Sequence, residues 1–403
     1  MSNTQIAFYS GTNTIGGTIF SVTYGKDRFI ADFGHSPKSA LYDERIHTRG
    51  NISDEVVVGI LPDIPDFYKD SQWNTVVGIS HMHLDHMGLL QYIPHNVDII
   101  TSRDSKNLYE QLTAIGDGQP SFDANRLTAV EPNKCFKVGQ IEITFIPVNH
   151  DVIGACAIRI ATPDTVIMYS GDIRLNDDDA LTDAWIHEAG DVDYLIIETT
   201  SLSFDNTEKE AYVPHTFGEC NQYILNIYQR NIKRIIDYVK LTELMQYTFV
   251  VDDRIATLID AFYDGDMSHC YMYESVKPIG YTGSIQTITL EEAIQLEKVV
   301  IQHDFSNWLL LSHFNLSGFD YLHSNGMPLG DFDPGYKVMK AWIERLNLNY
   351  VDFQKSGHAT IAQLEEVVNT IKPKVLIPQH GFYPERLQYP NRILPEIGKV
   401  YEL

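Results

Sequence analysis

No stretch of eighteen or more apolar residues occurs in this 403-residue chain, so nothing in it has the length of a membrane-spanning helix. Its first residues, Met1-Ser2-Asn3-Thr4-Gln5, lack the basic and apolar segments of a secretory leader. Cysteine is scarce: Cys135, Cys156, Cys220 and Cys270 lie scattered without metal-type spacing. That excludes a disulfide scaffold and leads us to expect free, buried thiols in a reducing cytoplasm. Positive charge is scarce as well. Thirty Lys and Arg face 54 Asp and Glu, a formal net charge of −24, and the longest basic run, Arg230 to Arg234, holds only three cations. The count argues against tight binding to long duplexes, because polyanion-binding faces displace counterions with clustered Lys and Arg. Repeats and low-complexity tracts are also missing. Hydrophobic residues at 44% and charged residues at 21% leave an ordinary globular composition, long enough for two or three domains.

Histidine, by contrast, is concentrated. Ser80-His81-Met82-His83-Leu84-Asp85-His86-Met87 packs three imidazoles and a carboxylate into six positions, directly after the apolar run Thr75 to Ile79, which reads as a buried strand. In extended backbone His81 and His83 project to the same side, since side chains repeat every second residue. Asp85 and His86 fall where the chain must turn, so they can address a second ion beside the first. A pair of divalent ions about 3.5–4 Å apart needs further ligands from other strand ends. Four segments offer them: apolar runs stop abruptly at Asp32-Phe33-Gly34, at Asn149-His150-Asp151, at Gly171-Asp172 and at Gln379-His380-Gly381.

Taken in order, Asp32, His81-x-His83-x-Asp85-His86, His150, Asp172 and His380 resemble the metallo-β-lactamase superfamily. Ser356-Gly357-His358-Ala359 ahead of Pro378-Gln379-His380-Gly381, and Tyr194 to Thr200 after Asp172, are similar to the β-CASP branch of nucleic-acid-processing hydrolases. The opening Ser10 to Thr18 and the stretch from Gly326-Met327-Pro328 to Leu346 resemble ribonuclease J-like chains; 201–325 matches only loosely. The resemblance implies an α/β protein: an αββα sandwich formed by 1–200 and 346–403, with a β-CASP-like α/β domain inserted at 201–345.

The pass along the chain agrees with this. Hairpins are expected from Ile6 to Phe33, punctuated by Gly16-Gly17 and Gly25-Lys26-Asp27, and strands alternating with helices such as Ser105 to Leu112 follow up to Thr200. Apolar residues at helical spacing over 218–241 predict a helix, then a strand at Thr248 to Val251, a helix at Arg254 to Tyr263 and a strand at Lys298 to Ile301. Further helices are expected at Tyr336 to Leu346 and at Ile361 to Ile371.

By the family pattern His81, His83 and His150 would hold one ion and Asp85, His86 and His380 the other, with Asp172 bridging. Nitrogen and oxygen ligands without thiolate suit Zn²⁺, our first choice, and tolerate Mn²⁺. Such ions acidify a water between them and stabilise charge developing on a phosphoryl oxygen. Asp85 is expected to orient that water as well as ligate, and Asp32 to act from behind the histidine-rich loop, or simply to cap its own turn. His358 is the family's non-ligand histidine that faces the scissile phosphate, its imidazole suited to proton transfer near neutrality; its alternative is to cap the helix beginning near Thr360. Glu198 corresponds to the acidic residue that bridges the sandwich and that histidine, with a buried structural carboxylate as the rival role. His35 can line the site, and Ser356 and Arg254 are candidate substrate-binding residues.

Two departures limit the transfer. Where ribonuclease J-like chains hold a 5′-phosphate with a Gly-Arg-Ser type loop, this chain reads Val250-Val251-Asp252-Asp253-Arg254, and paired aspartates repel phosphate. The net negative charge is the other. The expected activity is therefore a dinuclear phosphodiesterase acting on RNA or single-stranded DNA, in the cytoplasm and without a membrane partner, with homo-oligomerisation left open. The alternatives are a metal-dependent hydrolase of a small nucleotide, ester or lactam, and a non-catalytic scaffold.

Overall fold

A computed structural model describes residues 3–35, 41–43, 45–69, 71–175, 180–204, 217, 220–331, 333–354 and 356–403. The chain separates into two compact units, one of Met1–Thr113, Asp117–Glu208 and Gly357–Leu403, the other of Ala114–Gly116 and Lys209–Ser356.

In the first unit two sheets face each other. One runs, in spatial order, Val400–Glu402, Gln5–Ser10, Ile19–Tyr24, Asp27–Ala31, Asn74–Ile79, Asp98–Ser102, Leu127–Val130. The expected hairpins are there: Ile19–Tyr24 and Asp27–Ala31 pair antiparallel across the two-residue turn Gly25-Lys26, with Gly25 at φ +63°, a backbone state that glycine enters at no steric cost. The other sheet runs Val375–Gln379, Tyr194–Glu198, Val166–Tyr169, Cys156–Ala161, Ile141–Pro147, Cys135–Val138. Between them lies one apolar core, in which Phe8, Phe20, Phe29 and Ile100 from the first sheet meet Ile143, Phe145, Ile158 and Ile377 from the second. The rings of Phe20 and Tyr169 meet edge to face across it at 5.1 Å. Helices Arg103–Ala114, Ala180–Ala189 and Ile361–Ile371 complete the αββα arrangement.

The strands Asp27–Ala31, Asn74–Ile79 and Asp98–Ser102 are parallel neighbours, as are Val166–Tyr169, Tyr194–Glu198 and Val375–Gln379. Parallel neighbours end on the same side, so each group delivers several carboxyl termini to one edge of its sheet. Asp32, His81, Asp172 and His380 all follow such ends within three residues.

The second unit is a sheet of seven parallel strands in the order Gln286–Thr287, Cys270–Tyr273, Thr248–Asp252, Val299–Gln302, Gln222–Ile227, Asp320–Ser324, Asn349–Asp352. Its own core joins Ile224, Val250, Val299 and Ile301 to Trp308, Tyr321, Met339 and Ile343. Helices Asp253–Phe262 and Pro334–Arg345 lie as expected. The expected helix over 218–241 is not one element: Gln222–Ile227 is a strand and Ile232–Leu244 a helix. The strand is central in a parallel sheet and buried on both faces, so its sequence has no alternation to distinguish it from a buried helix. The thiols need a correction too, for Cys135 is exposed and Cys220 only half-buried, while Cys156 and Cys270 are buried. No helix among the described residues is long and apolar enough to cross a membrane.

Candidate metal centre

The histidine-rich loop is shaped by glycines. After Asn74–Ile79 the chain passes through Ser80 to His83 and enters a one-turn helix, Leu84–Met87, so Asp85 and His86 sit on a turn as expected. Phe33 and His35 donate backbone N–H groups to the carbonyls of His86 and Leu84 at 2.8 and 3.0 Å, and Gly17 donates to that of Asp85 at 3.0 Å. A methyl group on Gly34 would lie 1.6 Å from the Asp85 carbonyl oxygen, so only glycine fits there. Asp32 and His380 both adopt left-handed backbone, φ 58° and 57°, directly after their strands, an uncommon state that aims each side chain back across the strand ends.

Three donor groups result among the described residues, the smallest being Asp172, Glu198 and His358. His81, His83, His150 and Asp172 offer atoms within 4.8 Å of one another, and so do Asp85, His86, Asp172 and His380. In the first, His150 Nε2 is 3.2 Å from His83 Nδ1, while His81 Nε2 and His150 Nε2 are each 3.9 Å from Asp172 Oδ2. In the second, His380 Nε2 lies 3.2 Å from both His86 Nε2 and Asp85 Oδ2, and His86 Nε2 is 3.3 Å from Asp172 Oδ2. Asp172 thus belongs to both. Four ligands at about 2.0–2.1 Å around a tetrahedral zinc ion stand roughly 3.3 Å apart, so these spacings fit metal coordination. The donor chemistry fits as well. His81 Nε2 and Asp172 Oδ1 are buried without a hydrogen-bond partner. Burial pushes His81, His83 and His150 down, His83 to about 4, leaving them neutral at pH 7 as metal ligands must be. Burial also opposes charge on His86 and His380, but the surrounding carboxylates, Asp172 first, outweigh it and raise both. That field favours positive charge at the site, protons or a cation alike.

Four of the five imidazoles are also held from behind. His81 Nδ1 is 3.0 Å from Ser80 Oγ, His150 Nδ1 donates to the Gly357 carbonyl at 2.6 Å, and His380 Nδ1 is 3.0 Å from Thr200 Oγ1. His86 Nδ1 is 2.8 Å from Asp32 Oδ2. The fully buried Asp32 also accepts from Ser80 N at 2.7 Å, Ser80 Oγ at 2.9 Å and the Tyr169 hydroxyl at 2.6 Å. Such partners fix ring orientation and tautomer. Asp151 Oδ1 lies instead on the donor side, 3.3 Å from His150 Nε2 and 3.5 Å from His83 Nε2. Tyr169, Thr200, Asp151 and the Gly357 carbonyl escaped the reading of the sequence. Asp151 carried a signal, being a carboxylate beside a candidate ligand; a backbone carbonyl carries none.

His358 Nδ1 sits 3.1 Å from both oxygens of Glu198 and 3.8 Å from Asp172 Oδ2. The helix Ile361–Ile371 is capped by Thr360, in a reciprocal capping box with Gln363, so His358 is not needed as its cap. Burial disfavours its charge, yet Glu198, then Asp172 and Asp151, push it up to about 10. Glu198 is held in turn, accepting from Ile173 N at 3.1 Å and Thr200 N at 3.2 Å. His35 lies against Gly88 beside the loop. Ser356 and Arg254 fall in the second unit, Arg254 in the first turn of Asp253–Phe262.

Residues 65–219 match the family model of a beta-lactamase superfamily domain. Over 94% of this chain and 68% of the relative's length, it is 22% identical to Ribonuclease J of Mycoplasma genitalium; Ribonuclease J of Helicobacter pylori is 20% identical over 95% and 56%. These matches support the metallo-β-lactamase superfamily and, within it, a ribonuclease J-like chain. A crystal structure of a protein of unknown function from Enterococcus faecalis matches it over the full length of both chains, with a TM-score of 0.82 and 27% identity. The superfamily match and the His/Asp cluster support a hydrolase that binds divalent metal.

Proposed function

We propose that this chain is a dinuclear metal-dependent phosphodiesterase of the β-CASP type that cleaves RNA or single-stranded DNA. One observation carries the reading: two donor groups share Asp172, and His358 stands 3.8 Å from that same carboxylate. His81, His83 and His150 would hold one ion, Asp85, His86 and His380 the other, with Asp172 between; Zn²⁺ suits these donors and Mn²⁺ is tolerated. Bound ions of this kind supply Lewis acidity, bringing a coordinated water to a pKa of about 7 and offsetting charge on a phosphoryl oxygen. The protein's part is positional. Asp85, partly exposed while the histidines around it are buried, faces the substrate side and can orient the attacking water. His358 Nδ1 stands 3.1 Å from Glu198, whose carboxylate favours the protonated imidazole, and His358 would deliver a proton to the leaving oxygen.

The relatives are ribonucleases, which favours RNA. The −24 charge favours instead a small substrate handled by the same residues. Incubation with labelled RNA, single-stranded DNA and bis(p-nitrophenyl) phosphate in Zn²⁺ or Mn²⁺ separates the two. We expect polynucleotide cleavage that disappears in His83→Ala; ester turnover with intact polynucleotide would replace our reading with the small-substrate one.

A further inference from the structure

The second unit contains a cavity of about 720 Å³, lined among others by Asp253, Tyr273, Glu274, Tyr281, Glu291 and Phe314. The volume suits a drug-sized or metabolite-sized ligand. It opens beyond the carboxyl ends of Thr248–Asp252 and Cys270–Tyr273, where parallel α/β sheets bind their ligands. Its charge is one-sided, with four carboxylates and no Lys or Arg among its lining residues. Asp253 is 1% exposed; its Oδ2 accepts from Ile279 N at 2.6 Å, while Oδ1 has no hydrogen-bond partner. A buried carboxylate oxygen left unmatched loses its hydration without compensation, and a cationic donor arriving from the cavity would supply the missing bond. Glu292 is already engaged in a capping box with Thr289, so Asp253, Glu274 and Glu291 remain for a ligand. The aromatic residues act differently. The hydroxyls of Tyr273 and Tyr281 donate to the Gln302 carbonyl and to Asp260, so what these residues add to the lining is ring surface, which attracts cations.

Two ligand classes fit badly. An anion would meet four carboxylates and, besides His313, no basic side chain. A bare metal ion would lack ligands, since among the described residues every set of three or more converging His, Cys, Asp or Glu donors belongs to the first unit. We propose that this cavity binds a small organic cation bearing amino groups, its charge held by Asp253, Glu274 and Glu291 and its hydrocarbon part against Tyr273, Tyr281 and Phe314.

Isothermal titration of the full chain with spermidine at physiological salt tests this. Saturable binding at one site is expected. Asp253→Asn should weaken it about tenfold or more, the worth of one charge-assisted hydrogen bond. Glu365→Gln, which removes the same charge from an exposed helix position in the first unit, should leave the affinity within about twofold, as removing one solvent-screened surface charge does. If circular dichroism shows that Asp253→Asn does not fold, the exposed pair Glu274→Gln with Glu291→Gln takes its place and should weaken binding likewise. Absence of saturable binding, or equal affinity in the cavity variants and Glu365→Gln, would overturn the proposal.

Discussion

At the scale of single residues, the centre separates groups that hold from groups that react. His83 turns Nδ1 to within 3.2 Å of His150 Nε2, inside the first donor group. Its replacement by Ala should remove metal and hydrolysis together, with elemental analysis showing the loss; full metal content with undiminished turnover would exclude it as a ligand. His358 sets Nδ1 3.1 Å from Glu198 Oε1, and its side chain is partly exposed. Its Ala variant should keep its metal and slow turnover by about 10²–10⁴-fold, the usual worth of one acid–base group. An unchanged rate would leave His358 a packing residue. In the second unit, Asp252 caps the helix Asp253–Phe262 by accepting from Ile255 N, and burial pushes its carboxyl from 3.8 up to about 6. Between those values the folded protein keeps a proton that the unfolded chain has released, so stability falls as pH rises through the window. Above it the penalty is roughly 3 kcal/mol, about 1.4 kcal/mol for each pK unit. Asn at this position preserves the cap without the charge. Urea midpoints should therefore show Asp252→Asn gaining on the parent at pH 7.5 and losing most of that gain at pH 4.5. A gap independent of pH would mean that Asp252 stays ionised throughout.

Among elements, the decisive feature is the strand that ends on a polar residue. Gly34 shows how tightly these ends are packed together. Its Ala variant would place a methyl group 1.6 Å from the Asp85 carbonyl and force the Leu84–Met87 turn outward. We expect a cost of about 1–3 kcal/mol, the usual range for overpacking, with a lowered thermal midpoint and weakened metal retention from displaced Asp85 and His86. Gly34→Ala protein with parental stability and metal content would show that the turn adapts. These same ends explain what a reader of the sequence could see. Apolar runs that stop at Asp32, His81, His150, Asp172 and His380 are visible because burial writes a continuous apolar signature and the polar residue breaks it. The hinge between Gln222–Ile227 and Ile232–Leu244 was not visible, because a strand buried on both faces and the first turns of an amphipathic helix share one composition. Nor were the groups that hold the imidazoles from behind. Thr200 reaches His380 across 180 positions, and Gly357 reaches His150 across 207 through a carbonyl that every residue possesses. Only the assembled sheets bring such partners together.

For the whole molecule the question is how charge and metal divide between two cores. The net charge of −24 means that polynucleotide binding would draw on few Lys and Arg, so its affinity should vary less with salt than that of a basic nucleic-acid binder. On the proposed reading, divalent ions would be the main positive charge at the scissile bond. Their binding would also matter for stability. Every proposed ligand belongs to the unit built around Phe20, Phe145 and Ile158, and none to the unit built around Ile224, Trp308 and Tyr321. A ligand that binds only the folded state stabilises it by about 2.7 kcal/mol at a hundred times its dissociation constant. That stabilisation should reach the first core alone. Differential scanning calorimetry with Zn²⁺ or with a chelator should therefore show two transitions, one moving upward by several degrees with metal and the other stationary. His83→Ala should abolish the movement without shifting the stationary transition. One transition moving as a whole would mean that the two cores unfold together. Two transitions that both ignore metal would place the ions, if bound at all, outside His81, His83, His150, Asp172 and their partners.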